Sequence, residues 1–409
     1  MKLKIYSIIL FINYYISGLL APVLSLLLLE KGATISNLSI ILGLYALTVI
    51  VLELPTGIIA DVYGRKISFV ISIIVSILSF SILLLGKGFI ILSVGMILYG
   101  LSRALSSGSF DAMFIDYYID TYGKDKIHNI TTRLSVIEAL GMSAGALSGG
   151  FLPTVAKSYF NMGTYDLNVI IRIALAIVVV ILAYIFIEEH TQDKSEERIT
   201  IKQHVKNSYK IITKNSTIIC IFISVFSTGL FLSSLETYWQ PHFIQLIPNN
   251  DSKVLLGLMA FLYFAAATLG SIASNKIIKS NKFDTRKLYI AMRILLALSL
   301  ILTALQTNVP VFITLYSSIY LLFGLANVPE GAILNKEIPS EVRASVLSVY
   351  SLAMQIGGLT GSFAYSILIN YITIPQIWMS VATIVLVTVA LIAKTFLAKK
   401  KSDVAVEIK

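Results

Sequence analysis

Gly57-Ile-Ile-Ala-Asp61-Val-Tyr-Gly64-Arg65-Lys66 forms a short polar break between two long apolar runs, residues 35–60 and 67–86. Each run is long enough to cross a bilayer as a helix, which takes about 20 apolar residues. A connection this short needs residues that tolerate tight backbone geometry, and Gly64 is one. Gly57 is expected to let a neighbouring helix approach closely. Asp61 stands at a helix end, where a carboxylate can accept hydrogen bonds from backbone amides or from Arg65. Arg65 and Lys66 mark the cytoplasmic side of the membrane, because short cytoplasmic loops are enriched in basic residues.

The rest of the chain extends this pattern. Of 409 residues, 56% are hydrophobic and 13% are charged, against about 25% charged in a soluble domain. A mean hydropathy of +0.84 leaves too few polar side chains to cover a water-soluble globule. A soluble enzyme, a disordered protein and a nucleic-acid-binding protein are therefore excluded; the +10 net charge is spread through short loops and forms no soluble basic face. The single Cys220 permits no intrachain disulfide and no multi-cysteine metal site. The first apolar run, from Ile5, continues into further spans without a small-residue cleavage site, which reads as a retained helix.

Apolar runs between charged or turn-rich breaks predict twelve spans, near 5–28, 35–60, 67–86, 89–119, 129–157, 166–187, 216–240, 253–276, 287–306, 310–334, 343–369 and 375–397. The one long polar stretch, 188–214, alternates acid and base as a solvated linker does. The expected architecture is an all-α integral membrane protein of two six-helix bundles, 1–187 and 215–409. With both termini cytoplasmic, inner segments hold 24 Lys and Arg and outer loops hold 4; this asymmetry sets the orientation.

An internal repeat supports two halves. Leu98-Tyr-Gly-Leu-Ser-Arg103 in the fourth span parallels Leu322-Phe-Gly-Leu-Ala-Asn327 in the tenth, and Arg133-Leu-Ser-Val-Ile137 parallels Arg343-Ala-Ser-Val-Leu347. Parallel six-span repeats predict a pathway between halves with a substrate site near the bilayer midplane.

The Gly-x3-Asp-x2-Gly-Arg-Lys loop, between spans two and three of a twelve-span chain with a long middle linker, resembles the signature loop of the major facilitator superfamily. The resemblance implies a cytoplasmic latch of Gly57, Asp61, Gly64, Arg65 and Lys66, with Asp116 as the acidic partner of Arg65. The matching loop of the second half carries Ser274 at the acidic position, which makes the latch asymmetric. Span five, with Gly141, Gly145, Gly149 and Gly150, is similar to the antiporter motif of the drug and metabolite exporters in that superfamily. Ala146 stands where that motif has proline, and close helix packing is the other reading of these glycines. Arg103 resembles an intramembrane arginine of a further family motif, in part only.

Ionisable groups within spans cost about 2.5–3.5 kcal/mol on insertion scales, so each calls for a role. Asp111 follows Arg103 by eight residues, which on a continuous helix turns both to the same side. A carboxylate whose arginine contact changes between states can bind and release a proton. Asp111 and Arg103 are thus the expected coupling pair, with a static salt bridge as the alternative. Glu138 is either a second titrating group or the partner of Arg133. Glu236 with Trp239 could hold a cationic aromatic substrate or belong to an interfacial aromatic belt. Glu330, Asn13 and Tyr14 are further candidates for the substrate pathway.

No phosphate-binding Gly-x4-Gly-Lys-Ser/Thr loop and no His-Glu-x2-His motif is present, so neither ATP, a metal nor another cofactor is expected. The expected function is a proton-coupled exporter of a small amphiphilic compound. It would work by alternating access as a monomer in a cell membrane, most simply the bacterial cytoplasmic one. A proton symporter importing a small nutrient is the alternative. A membrane-embedded prenyl-diphosphate enzyme, with Asp111, Asp116 and Asp120 holding magnesium, is the remote one.

Overall fold

The computed structural model describes residues 2–107, 109–123, 127–160, 162–187, 213, 215–247, 253–280, 283–339 and 343–407. Among them every regular element is a helix: α1 (Lys2–Gly18), α2 (Leu24–Glu30), α3 (Ile35–Tyr63), α4 (Arg65–Leu85), α5 (Phe89–Ser106), α6 (Phe110–Tyr122), α7 (Ile127–Tyr159), α8 (Asp166–Phe186), α9 (Ser216–Leu246), α10 (Val254–Lys279), α11 (Thr285–Ala304), α12 (Val309–Glu337), α13 (Arg343–Leu368) and α14 (Ile374–Glu407). Helices are what an apolar chain must form in lipid, since no water is there to satisfy backbone groups. Eleven are long and apolar enough to cross a membrane, and Leu3–Gly18 is a shorter apolar helix. Their outward faces carry large bare side chains such as Leu54, Leu85, Ile90 and Ile185. Apolar surface on that scale belongs against lipid.

Two predicted spans are interrupted. The first, 5–28, breaks after Gly18 and resumes at Leu24, and in the fourth, 89–119, α5 ends at Ser106 and α6 begins at Phe110. The polar linker, 188–214, lies outside the described residues apart from Thr213. Helix ends are set by local chemistry. Thr34 and Asn37 form a reciprocal capping box on α3, Asp284 accepts the Arg286 and Lys287 amides of α11, and Asn308 accepts Val311 N at the start of α12. Gly64, at φ 107°, is the whole connection between α3 and α4; a side chain there would be strained.

The chain groups into two compact units, 1–193 with 237–264, and 194–236 with 265–409. In the first, α5 packs on α3 and α4, and α1 packs on α7 and α8. Its core joins Tyr6, Ile9, Phe69, Ile73, Phe114 and Val179. In the second, α11 packs on α12 and α14, around Ile221, Tyr289, Leu334, Val346 and Phe396. Glycines set the closest approaches. A methyl group on Gly145 would strike Tyr15 O, and one on Gly149 would strike Leu19 O. At Gly57, by contrast, a Cβ would meet nothing within 4 Å, so the close helix approach expected there does not occur.

Candidate functional site

Span one is the organising element of the first unit. Its helix ends at Gly18, and the carbonyls freed by the break are caught by side chains from elsewhere. Arg172 Nη1 donates to Ile16 O at 2.7 Å, and Asn168 Nδ2 donates to Leu19 O at 3.0 Å and to Gly149 O at 2.7 Å. Gln240 Nε2 donates to Ala21 O at 2.8 Å while its Oε1 accepts Ser25 N at 2.9 Å. The Gln240 carboxamide therefore sits where an Ala21–Ser25 helical bond would otherwise close. Inserted groups of this kind are a recognised cause of helix breaks.

One turn inward from the break, Tyr14 donates its hydroxyl to Asp111, at 3.1 Å from Oδ2 and 3.3 Å from Oδ1. The charges of Arg103 and Glu138 act on the same group. Four of the expected residues, from α1, α5, α6 and α7, are thus gathered into one cluster. Their geometry differs from expectation in one respect. Because α5 ends at Ser106 and α6 starts at Phe110, the continuous helix on which Arg103 and Asp111 would share a face is absent, and among the described residues the two form no ion pair. Asp111 is held by a tyrosine from another span instead.

Beside this cluster lies a small cleft within the first unit, lined by residues including Asn13, Ser72, Ser76, Tyr99, Arg103 and Arg172. Arg103 is exposed to open space. Arg172 is 4% exposed, sits 3.9 Å over the Phe80 ring, and donates from Nη2 to Ser76 Oγ at 3.3 Å. Arg172 lies inside the predicted span 166–187, where a charge stands out, yet nothing in the sequence points to its partners. Gln240 gave no signal at all, because a lone glutamine near a span end is unremarkable.

The second unit has its own buried network. Glu330, 3% exposed, accepts hydrogen bonds from Tyr289 and Tyr350. Tyr289 also meets Ser224 Oγ at 2.5 Å, and Arg293 donates to Thr228 Oγ1 at 2.5 Å, to Ser227 Oγ at 2.9 Å and to Ser224 O at 3.1 Å. Both Glu330 carboxylate oxygens are engaged by the protein, which leaves it enclosed and not open to a pathway. Glu236 is exposed, whereas Trp239 is 2% exposed and packs edge-on to Tyr263. As placed, Trp239 offers no free ring face for a substrate.

Of the expected latch, Gly64 makes its turn, and Lys66 donates to Tyr184 O at 3.2 Å. Asp61 lies at the end of α3 and Asp116 in α6, but their side chains, and so the Arg65–Asp116 contact, lie outside what is described. Gly141 approaches Phe11 O, and Gly150 approaches Gly257 of α10. The four span-five glycines therefore all meet backbone of a neighbouring span.

The sequence matches the family model described as Major Facilitator Superfamily over residues 6–247 and 243–407. It is 24% identical over 406 residues to an uncharacterized transporter of that type, YxaM of Bacillus subtilis (strain 168), covering 96% of this chain and 95% of the relative. The fold is shared with the nucleoside transporter NupG, at a TM-score of 0.77 and 14% identity over 97% of this chain and 99% of that one. It is also shared with the POT family transporter PepTSo, at a TM-score of 0.71 and 11% identity over 98% of both. These likenesses make the chain a membrane transporter and not an enzyme, and the magnesium-binding reading of Asp111, Asp116 and Asp120 falls with them. Signature loop, helical architecture and family match agree, and the chain belongs to the Major Facilitator Superfamily.

Proposed function

We propose that this secondary transporter is driven by protons and exports a small amphiphilic compound, with Asp111 as the group that takes up and releases the proton. The observation that carries the reading is the Tyr14–Asp111 hydrogen bond between α1 and α6, with Arg103 and Glu138 acting electrostatically on the same carboxylate. A carboxylate held by groups on separate helices changes its surroundings when those helices move, and that difference is what couples proton binding to a conformational change. The outward direction rests on the likeness of the span-five glycines to the exporter motif. Import by symport is the second reading, and it is favoured by the use of Gly141, Gly145 and Gly149 in backbone contacts with span one, which accounts for them as packing alone.

The test is transport in liposomes under an imposed pH gradient, with fluorescent lipophilic cations and small organic solutes offered to the wild type and to Asp111→Asn. Movement against the gradient in exchange for protons, lost in Asp111→Asn, is the expected result. Transport that survives the substitution would remove Asp111 from the coupling role and pass it to Glu138. Solute moving together with protons would decide for import.

A further inference from the structure

We propose that the cleft of the first unit is a binding site for a small organic anion, one carrying a carboxylate or phosphate group, with Arg103 as its anchor. This names a substrate class for the proton-coupled transporter proposed above; it rests on the coupling role of Asp111 and not on the outward direction, and it favours the second reading, import by symport. Two arginines line the cleft together with Asn13, several serines and Tyr99, and no acidic side chain lines it among the described residues. The two arginines are built differently. Arg172 is fixed: it lies over Phe80, and its Nη1 and Nη2 are spent on Ile16 O and Ser76 Oγ, while its buried Nε has no hydrogen-bond partner. Its charge is nonetheless uncompensated, since those partners are neutral. A buried guanidinium without a counter-charge is expensive, and an anion nearby would offset that cost.

Arg103 is the adaptable member. It is exposed in the cleft and makes no ion pair among the described residues, so its planar fork is available for a bidentate oxyanion contact. Serine hydroxyls along α4 and α5, including Ser76, Ser102 and Ser106, can donate to the remaining oxygens. A cationic substrate would face two positive charges here.

The anion site also has a consequence for coupling. Arg103 is shared between the cleft and Asp111, which is faced by Tyr14 of α1, Arg103 of α5 and Glu138 of α7. Arg103 and Asp111 form no ion pair among the described residues, but an anion held on Arg103 and an ionised Asp111 repel each other as like charges. Anion and proton therefore assist each other's binding, and for an anionic solute the linkage runs toward symport.

The purified full-length chain in detergent would be heated in sodium acetate, benzoate, inorganic phosphate or glycerol 3-phosphate, against sodium chloride at matched ionic strength. At least one oxyanion is expected to raise the unfolding midpoint saturably, by roughly 2 °C at ten times its Kd. Arg103→Gln should raise the half-saturating concentration about tenfold or more, and Arg103→Lys should keep part of the response. Arg103 is the residue of choice because its removal breaks no described hydrogen bond. No difference between any oxyanion and chloride would overturn the inference, as would a response undiminished in Arg103→Gln. Nanodiscs with and without phosphatidylglycerol form a further arm. An Arg103-dependent shift produced by that lipid and by no soluble anion would assign the site to a headgroup and overturn the solute reading. Because binding is read without a pH gradient, failure of proton coupling leaves this result intact, and proton-driven transport in a protein that binds no oxyanion would sink this inference alone.

Discussion

Gly57 and Gly145 both lie inside long helices, α3 and α7, of the first unit. A methyl group on Gly145 would collide with Tyr15 O, a backbone atom that cannot step aside, while one on Gly57 meets nothing within 4 Å. Gly145→Ala is therefore expected to lower stability by about 1–3 kcal/mol through overpacking. Gly57→Ala should raise it by up to about 1 kcal/mol, because alanine suits a helix better than glycine. Thermal unfolding of the two variants in detergent separates these outcomes; equal shifts would contradict the packing described. The intramembrane acids divide in a similar way. Glu330 has both oxygens filled by tyrosines within its own unit, whereas Asp111 is held through one tyrosine beside an open cleft. Their sequence surroundings did not distinguish them, since burial and partners depend on helices far away along the chain.

At the scale of elements, breaks matter as much as helices. Span one stops at Gly18, and Arg172, Asn168 and Gln240 take up the backbone groups that the break releases. In Gln240→Leu, Ser25 N and Ala21 O lose that partner at once. Amide exchange at Ser25 should quicken about fivefold, the factor for a net hydrogen bond of ~1 kcal/mol, while exchange at Ile41 in α3 stays unchanged. Unaltered exchange at Ser25 would mean that the ladder closes without the glutamine. The internal repeat also has a physical basis at this scale. Gly100 of α5 abuts Tyr45 and Thr48 of α3, and Gly324 of α12 abuts Ala267 and Ser271 of α10. The matched glycines thus seat the fourth span on the second and the tenth on the eighth.

For the whole molecule, the sharpest expectation concerns orientation. With 24 basic residues assigned to one side and 4 to the other, both termini are predicted to face the cytoplasm. Green fluorescent protein fused after residue 407 should fluoresce in cells, and alkaline phosphatase fused there should be inactive. The reverse pattern would invert every loop assignment. The bare apolar side chains on the outward faces of α3, α4, α5 and α8 require a lipid environment whichever way the chain runs.

Membrane class, helical architecture and family were all legible in the amino-acid sequence, because these follow from local quantities: apolar run length, scarcity of charge and one signature loop. It also named Asp111, Arg103, Tyr14 and Glu138 separately, since a polar group in an apolar span stands out against its neighbours. How they meet depends on the folded arrangement of the helices. The end of α5 at Ser106 and the new start of α6 at Phe110 set aside the shared face inferred from an eight-residue spacing and let Tyr14, 97 residues away, become the partner of Asp111. Likewise the pairing of Arg103 with Arg172 around one cleft, and the insertion of Gln240 into span one, join residues whose separation carries no periodic signal. Hydropathy records which surroundings a residue prefers; which partner satisfies it is settled by the packing of helices distant in the chain.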